Sequence, residues 1–449
     1  MPDTDLRSCM FLIADDWSPL AGCYGNGVVK MPNVDRLAQR GVVFDHAFCT
    51  SPSCAASRAV ILTGRHSHTH GQYGHCHRIH GFRTHEWMTS TPKLLREKGF
   101  VTACVGKSHV APASVYPFDL QPPVEGRNAH SMAGGIIEVL SNSSDRPFYL
   151  HVGFADPHRS GGERNFGNDQ TYAGIEEVEY SPENVIVPDF MPNIPEVREE
   201  LANYYQALSR LDMGIGLAVE ALEASGRADE TLIVITSDHG MPFPGAKASS
   251  FDTGHHCPFI VLSPQQRNRG IHNRALINWT NIAPTVLDWC GAEPPTDLPE
   301  RSLLPILEET DPGGWDETYF SHCLHEVTNY YPYRVLRGRR YKYVRNLAWQ
   351  LETPLPSDLF RSKMWRAVRE QEIEMLGRRS REKFLHQERE CLYDVEYDPM
   401  ETTNRINDPS LREIVEGMRQ KVIDFRVRTK DPWLEQSFHE GEVEEFHPV

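Results

Sequence analysis

The stretch CMFLIADD, residues 9–16, is an apolar run of six residues that ends on two adjacent carboxylates. A run this short, neither alternating with polar residues nor helical in period, predicts a strand buried on both faces, as in a sheet covered by helices. The same texture recurs in FVTACV (100–105), FYLHVGF (148–154), TLIVIT (231–236) and PFIVL (258–262), with a shorter strand at 42–44. Helical segments alternate with these runs: 33–39, stopped by Gly41; TPKLLREK (91–98), with Pro92 in its first turn and Gly99 after its end; and 196–225, closed by Gly226. Strands alternating with helices over two thirds of the chain predict an α/β fold with a mostly parallel sheet, whose ligands bind beyond the carboxyl ends of its strands.

Those ends are where polar residues concentrate. Asp15 and Asp16 follow the first run, Lys107 and His109 the second, Asp156 and His158 the third, Asp238 and His239 the fourth. Distant segments therefore converge on one rim. Gathered carboxylates need a cation to offset their repulsion. Oxygen ligands suit Ca²⁺ or Mg²⁺, and a histidine nitrogen admits Mn²⁺ or Zn²⁺. Arg58, Lys107 and Lys247 beside that ion read as anion-binding groups. Past the DPGG at 311–314 the texture changes to ETYFSH, YRVLRG, RYKYVR and CLYDVEY with a final helix at 411–425, predicting a smaller antiparallel α+β subdomain. The expected division is a catalytic domain at 1–310 and a subdomain at 311–449 that contributes to the substrate pocket.

At 449 residues, 39% of them hydrophobic and 24% charged, the chain can bury a large core. Its net charge of −16 argues against a nucleic-acid binder, which needs a basic surface. No segment is long enough to span a membrane. The amino terminus, with acids early and a short apolar run, reads as a strand rather than a signal peptide, so the expected location is cytoplasmic. The ten cysteines include no CxxC pair, which suggests neither a zinc ribbon nor a disulfide framework. HSHTHGQYGHCHRIH (66–80) holds six histidines at no standard ligand spacing and reads as an active-site rim. In TSPSCAASRAVILTGR (50–65), Cys54 stands at a helix start, four residues before Arg58. It is either a thiolate nucleophile lowered by the helix terminus and Arg58, or a buried structural thiol.

Cys54-Ala55-Ala56-Ser57-Arg58 followed by Leu62-Thr63-Gly64-Arg65 resembles the type I sulfatase signature, with Ala56 where that signature has proline. The resemblance covers nearly the whole chain. It is nearest the sulfamidase branch through GKSHVAPASVYPFD (106–119), ADPHR (155–159), SDHGMPFP (237–244), HEVTNYYPYR (325–334), LYDVEYDPMETTN (392–404) and DPW (431–433). It implies an alkaline-phosphatase-like fold and a sulfohydrolase acting on the sulfamate of N-sulfoglucosamine in heparan sulfate or heparin. Cys54 would be oxidised to formylglycine by a formylglycine-generating enzyme, its hydrated aldehyde serving as nucleophile. Asp15, Asp16, Asp238 and His239, with residue 54, would hold one divalent metal, Ca²⁺ foremost. Arg58 would orient the diol, His109 act as its base, Lys107 and Lys247 bind sulfonate oxygens and His158 serve as general acid. His325, Glu326 and Arg159 would contact the sugar, unless Arg159 pairs with a structural acid. His239 replaces the usual asparagine and matches the phosphonate monoester hydrolases, so an O-sulfatase or a phosphonate or phosphate diester hydrolase is the enzymatic alternative. A carbohydrate-binding pseudoenzyme follows if Cys54 stays a thiol. The expected partners are the sulfated saccharide and the modifying enzyme, with a homodimer also admitted.

Overall fold

The run at 9–14 lies in strand β1 (Ser8–Ala14), every residue of which is buried. Its side chains alternate between two cores. Met10, Leu12 and Ala14 pack on one face with Leu201, Leu208 and Leu211 of the long helix Pro195–Ala224. Cys9, Phe11 and Ile13 pack on the other face with Val60 and Leu62 of the helix Cys54–Thr63. Burial on both sides is why the strand reads as a continuous apolar run. The computed structural model describes residues 7–434.

The remaining strands of this sheet are β2 (Val42–Phe48), β3 (Val101–Gly106), β4 (Phe148–Gly153), β5 (Thr231–Ser237), β6 (Phe259–Leu262) and β7 (Ile271–Asn278). Their order is β3-β4-β1-β5-β6-β2-β7. β1 pairs in parallel with β4 and β5, β3 with β4, and β2 with β7, whereas β6 runs antiparallel to both β5 and β2. The carboxyl ends of β1 to β5 therefore share one rim. Two glycines shape it. A Cβ on Gly153 would lie 2.0 Å from the Lys107 carbonyl oxygen, so the chain leaving β3 can cross the end of β4 only if that position is glycine. The helix Ala129–Ser143, absent from the sequence-based expectation, contains Gly135 because a Cβ there would meet Val124 Cγ1 at 2.7 Å. Paired glycines lower helix propensity, and tertiary packing overrides it here.

The second sheet is antiparallel and consists of Glu317–Leu324, Tyr330–Gly338, Tyr341–Asn346 and Glu390–Asp394. Phe320, Tyr333, Val335 and Val344 pack toward Phe48 and Leu276 of the larger sheet. Leu336, Tyr343 and Leu392 pack under Val415, Val422 and Phe425 of the helix Arg412–Arg428. The segment after this sheet's third strand leaves it: Met364, Trp365 and Val368 join the core around the long helix. Chain beyond residue 311 thus also completes the first domain. No helix among the described residues is long and apolar enough to cross a membrane.

Candidate active site

Cys54 opens the helix Cys54–Thr63, all ten residues of which are buried, and its Sγ lies 3.3 Å from His239 Nε2. Burial raises the thiol pKa well above its ordinary value. Lys247 and Lys107 oppose the shift, and Asp15 and Asp16 reinforce it. The direction is opposite to the lowering expected from the helix terminus and Arg58, because removal from water is the largest influence on this thiol.

Arg58, one turn further along the helix, is fully buried. Its Nε donates to Asp238 Oδ2 at 2.9 Å, Nη1 to the Lys107 carbonyl at 3.0 Å and Nη2 to the Ala14 carbonyl at 3.3 Å. One guanidinium therefore ties together the ends of β1, β3 and β5. Lys107 Nζ meets Asp15 Oδ2 at 2.5 Å. Lys247 Nζ lies 3.1 Å from Asp16 Oδ2 and 3.0 Å from Asp358 Oδ2. Burial would lower the pKa of both lysines, but Asp15 raises that of Lys107, and Asp16 with Asp358 raises that of Lys247 well above normal. Both stay charged.

The carboxylates leave room for a cation. Asp15 Oδ1 and Asp16 Oδ1 are buried without a hydrogen-bond partner, and the 3.1 Å approach of His239 Nε2 to Asp16 Oδ1 is a contact rather than a hydrogen bond. Burial pushes the Asp238 carboxyl pKa up against the pull of Arg58, with Asp15 adding to the rise, a repulsion that a cation would relieve. Asp16, Cys54 and His239 form one group of close donor atoms, and Asp15, Cys54 and Asp238 another. Charge points the same way: Asp15, Asp16, Asp238 and Asp358 face Arg58, Lys107 and Lys247, leaving one uncompensated negative charge. A dication would turn this into one net positive charge, suited to an anionic ligand. The expected metal set thus fits a hard divalent ion, with His239 supplying one nitrogen.

His158 Nε2 lies 3.5 Å from Lys247 Nζ, and its Nδ1 lies 2.5 Å from the Arg159 carbonyl. Arg159 is buried with Nη1 and Nη2 on the two oxygens of Glu200, at 2.6 and 3.2 Å, and Nε on the Pro242 carbonyl. Of its two expected roles, pairing with a structural acid is the one observed. His325 is buried, between Ser53 Oγ at 3.0 Å and His75 Nε2 at 3.1 Å. Glu326 holds the Ser357 amide and hydroxyl. His109 Nε2 meets His77 Nδ1 at 2.8 Å. The histidine run divides: His66 and His68 bond Ser321 and Thr429 and pack on Phe425, while His75 and His77 turn toward His109. His66 and His68 are therefore structural rather than part of the expected rim. Asp156 is also structural, spent on Arg127 and Arg210. Sequence reasoning missed Asp358, a lone acid in the four-residue helix Ser357–Phe360 with no motif around it.

The sulfatase family model matches residues 8–292. The chain belongs to the sulfatase family. A second model, described as N-sulphoglucosamine sulphohydrolase, C-terminal, matches residues 246–353 of this sulfatase. Human N-sulphoglucosamine sulphohydrolase is 34% identical over 467 aligned residues, covering 95% of this chain and 91% of the human protein. A solved structure of a protein in complex with its substrate D-glucosamine-2-N,6-O-disulfate has a TM-score of 0.70 at 18% identity, covering 97% of this chain and 100% of the other. Phosphonate monoester hydrolase of Agrobacterium radiobacter also has a TM-score of 0.70, at 20% identity, covering 94% of this chain and 96% of the other. The alkaline-phosphatase-like architecture expected from the sequence is thus the one adopted, and the chain is an enzyme of the sulfatase class.

Proposed function

We propose that this sulfatase removes the N-sulfo group from N-sulfoglucosamine in heparan sulfate or heparin-type saccharides, with Cys54 matured to formylglycine and one divalent ion, Ca²⁺ foremost, among Asp15, Asp16, Asp238, His239 and residue 54. The observation that carries this reading is the N-sulphoglucosamine sulphohydrolase match at 246–353, which takes in Lys247 and the His325-Glu326 turn at the pocket. Formylglycine replaces a thiol whose pKa burial pushes up with an oxygen nucleophile. The ion supplies electrophilic polarisation of a sulfonate oxygen and neutralises developing charge. Lys107 and Lys247 hold the sulfonate, and binding it beside residue 54 makes the attack effectively intramolecular. Arg58 keeps the strand ends and Asp238 in register beneath it. His158 delivers a proton through Nε2 to the departing nitrogen, which would otherwise leave as a very basic anion. His109 takes the proton whose removal releases sulfate.

A second reading, phosphonate ester hydrolysis, is favoured by His239, whose Nε2 faces both Cys54 Sγ at 3.3 Å and Asp16 Oδ1 at 3.1 Å. One experiment separates the two: kcat/KM for an N-sulfated glucosamine, for 6-O- and 2-O-sulfated sugars and for an aryl phosphonate monoester, since specificity resides in that ratio. The N-sulfated sugar is expected to lead. Preference for an O-sulfated sugar would reject the sulfamidase assignment, and preference for the phosphonate would establish the second reading.

A further inference from the structure

Beside the carboxylate site lies a group of side chains with a different donor chemistry. His75 and His77 come from the loop following the short helix Ser67–His70, and His109 from the loop after β3, where its φ of 57° is in the left-handed region. Such a conformation is uncommon for a residue other than glycine and persists only where the surroundings enforce it. One ring nitrogen from each of the three histidines lies within 4.8 Å of the others. Their ring centroids are 5.0 Å apart for 75 and 77, 5.0 Å for 75 and 109 and 4.9 Å for 77 and 109. With Zn–N bonds of about 2.0–2.1 Å in a tetrahedral site, ligand nitrogens stand roughly 3.3 Å apart and ring centroids roughly 5 Å apart. The observed ring spacing matches that of three histidines on one tetrahedral ion.

We propose that His75, His77 and His109 form a second metal site at the mouth of the pocket, specific for a late first-row dication of the Zn²⁺ class, and that its occupancy inhibits the enzyme by withdrawing His109. The donors are all imidazoles, a set that suits Zn²⁺, Co²⁺, Ni²⁺ or Cu²⁺ and not Ca²⁺ or Mg²⁺. His75 Nδ1 and His109 Nδ1 are buried without a hydrogen-bond partner, a state that calls for an explanation in a folded protein. The pKa of all three rings is lowered, desolvation being the first cause for each, which favours the neutral form that ligates metals. His77 is exposed and gives an ion its way in, while His325 Nε2, 3.1 Å from His75 Nε2, orients that ring from behind. Cys76 lies between the two loop histidines in sequence, but its Sγ faces the His109 carbonyl at 3.5 Å and burial raises its pKa, so it is no ligand.

Metal binding here rests on these residues alone. The inhibitory role rests also on the sulfatase reading and on His109 serving as base. The test uses the full chain saturated with Ca²⁺ and titrated with Zn²⁺ by calorimetry and with Co²⁺ by visible absorption, alongside turnover of an aryl sulfate in the same samples. Wild type is expected to bind one late-metal ion and lose activity with it. His77→Ala and His77→Gln, at an exposed position, should fold normally, bind at least roughly 10–100-fold more weakly and lose a smaller fraction of their own metal-free activity at a given Zn²⁺ concentration. His75→Ala should weaken binding in the same way. Absence of late-metal binding, affinity unchanged in the His77 variants, or binding lost in His239→Ala and retained in His77→Ala would overturn the site. Binding that depends on His77 but leaves turnover unaffected would overturn the inhibitory role. The Co²⁺ spectrum reads binding even if no sulfate ester or sulfamate is cleaved, so the two failures are distinguishable.

Discussion

Replacing His158 with alanine tests the proposed chemistry most directly. Its Nδ1 lies 2.5 Å from the Arg159 carbonyl, which can only accept, so Nδ1 carries the hydrogen. Nε2, which faces Lys247 at 3.5 Å, can then donate only when the ring is an imidazolium. Burial first and Lys247 second lower the pKa of this ring, against Asp16 and Asp15, which makes the imidazolium a stronger acid toward a departing nitrogen. A positioned acid contributes about 10²–10⁴ in rate, or roughly 2.7–5.4 kcal/mol of barrier at 1.36 kcal/mol per tenfold. His158→Ala should therefore slow cleavage of an N-sulfated glucosamine by about 10²–10⁴-fold. A nitrophenyl sulfate, whose phenolate leaves unaided, should slow far less. The assay is kcat and kcat/KM on both substrates for wild type, His158→Ala and His158→Gln, with bound metal measured by elemental analysis. Equal losses on the two substrates, or loss of the metal, would refute the role and assign His158 to sulfonate or metal binding.

Peptide mass spectrometry of active protein should find residue 54 as formylglycine, and full activity with only an alkylatable thiol there would contradict it. His239→Ala should lower metal content and depress cleavage of both substrate types, in contrast to His158→Ala. Asp431→Ala strips a buried carboxylate from Arg334, which it meets at 2.8 and 2.9 Å, and from Arg426 at 3.0 Å. Breaking such a pair costs about 3–5 kcal/mol, and unfolding entropy of about 2.1 cal/mol/K per residue over 449 residues converts this into a Tm loss of roughly 3–5 °C, read by calorimetry. The same carboxylate sets an acid limit. Burial would raise its pKa, but Arg334, His68 and Arg426 hold it well below the usual carboxylate range. Its stabilisation is present above that range and is lost as pH falls through it, so the gap in Tm between wild type and Asp431→Asn should narrow on acidification.

The DPW at 431–433 shows how a motif can be legible while its reason is not. The sequence marks it through the family pattern; the structure shows Asp431 satisfying Arg334, a fully buried residue 97 positions earlier in the chain. Six strands of the larger sheet were readable, most of them because burial on both faces imposes continuous apolar runs, whereas β7, whose IHNRALIN mixes exposed polar and buried residues, was not. The helix Ala129–Ser143 was not, since Gly134 and Gly135 obscure it, and Gly135 answers to Val124 rather than to helix propensity. The carboxylates proposed as ligands and the position proposed for the nucleophile are marked by local features, short-range in sequence, and were read from the chain alone. Tertiary structure decided which acid Arg159 spends itself on, that burial pushes the Cys54 thiol pKa up rather than down, that Asp358 reaches Lys247 across 111 positions, and that His66 and His68 part from His75 and His77, which lie by His109. Each of these depends on which groups lose their water together, and burial is a property of the packed chain rather than of any segment of it.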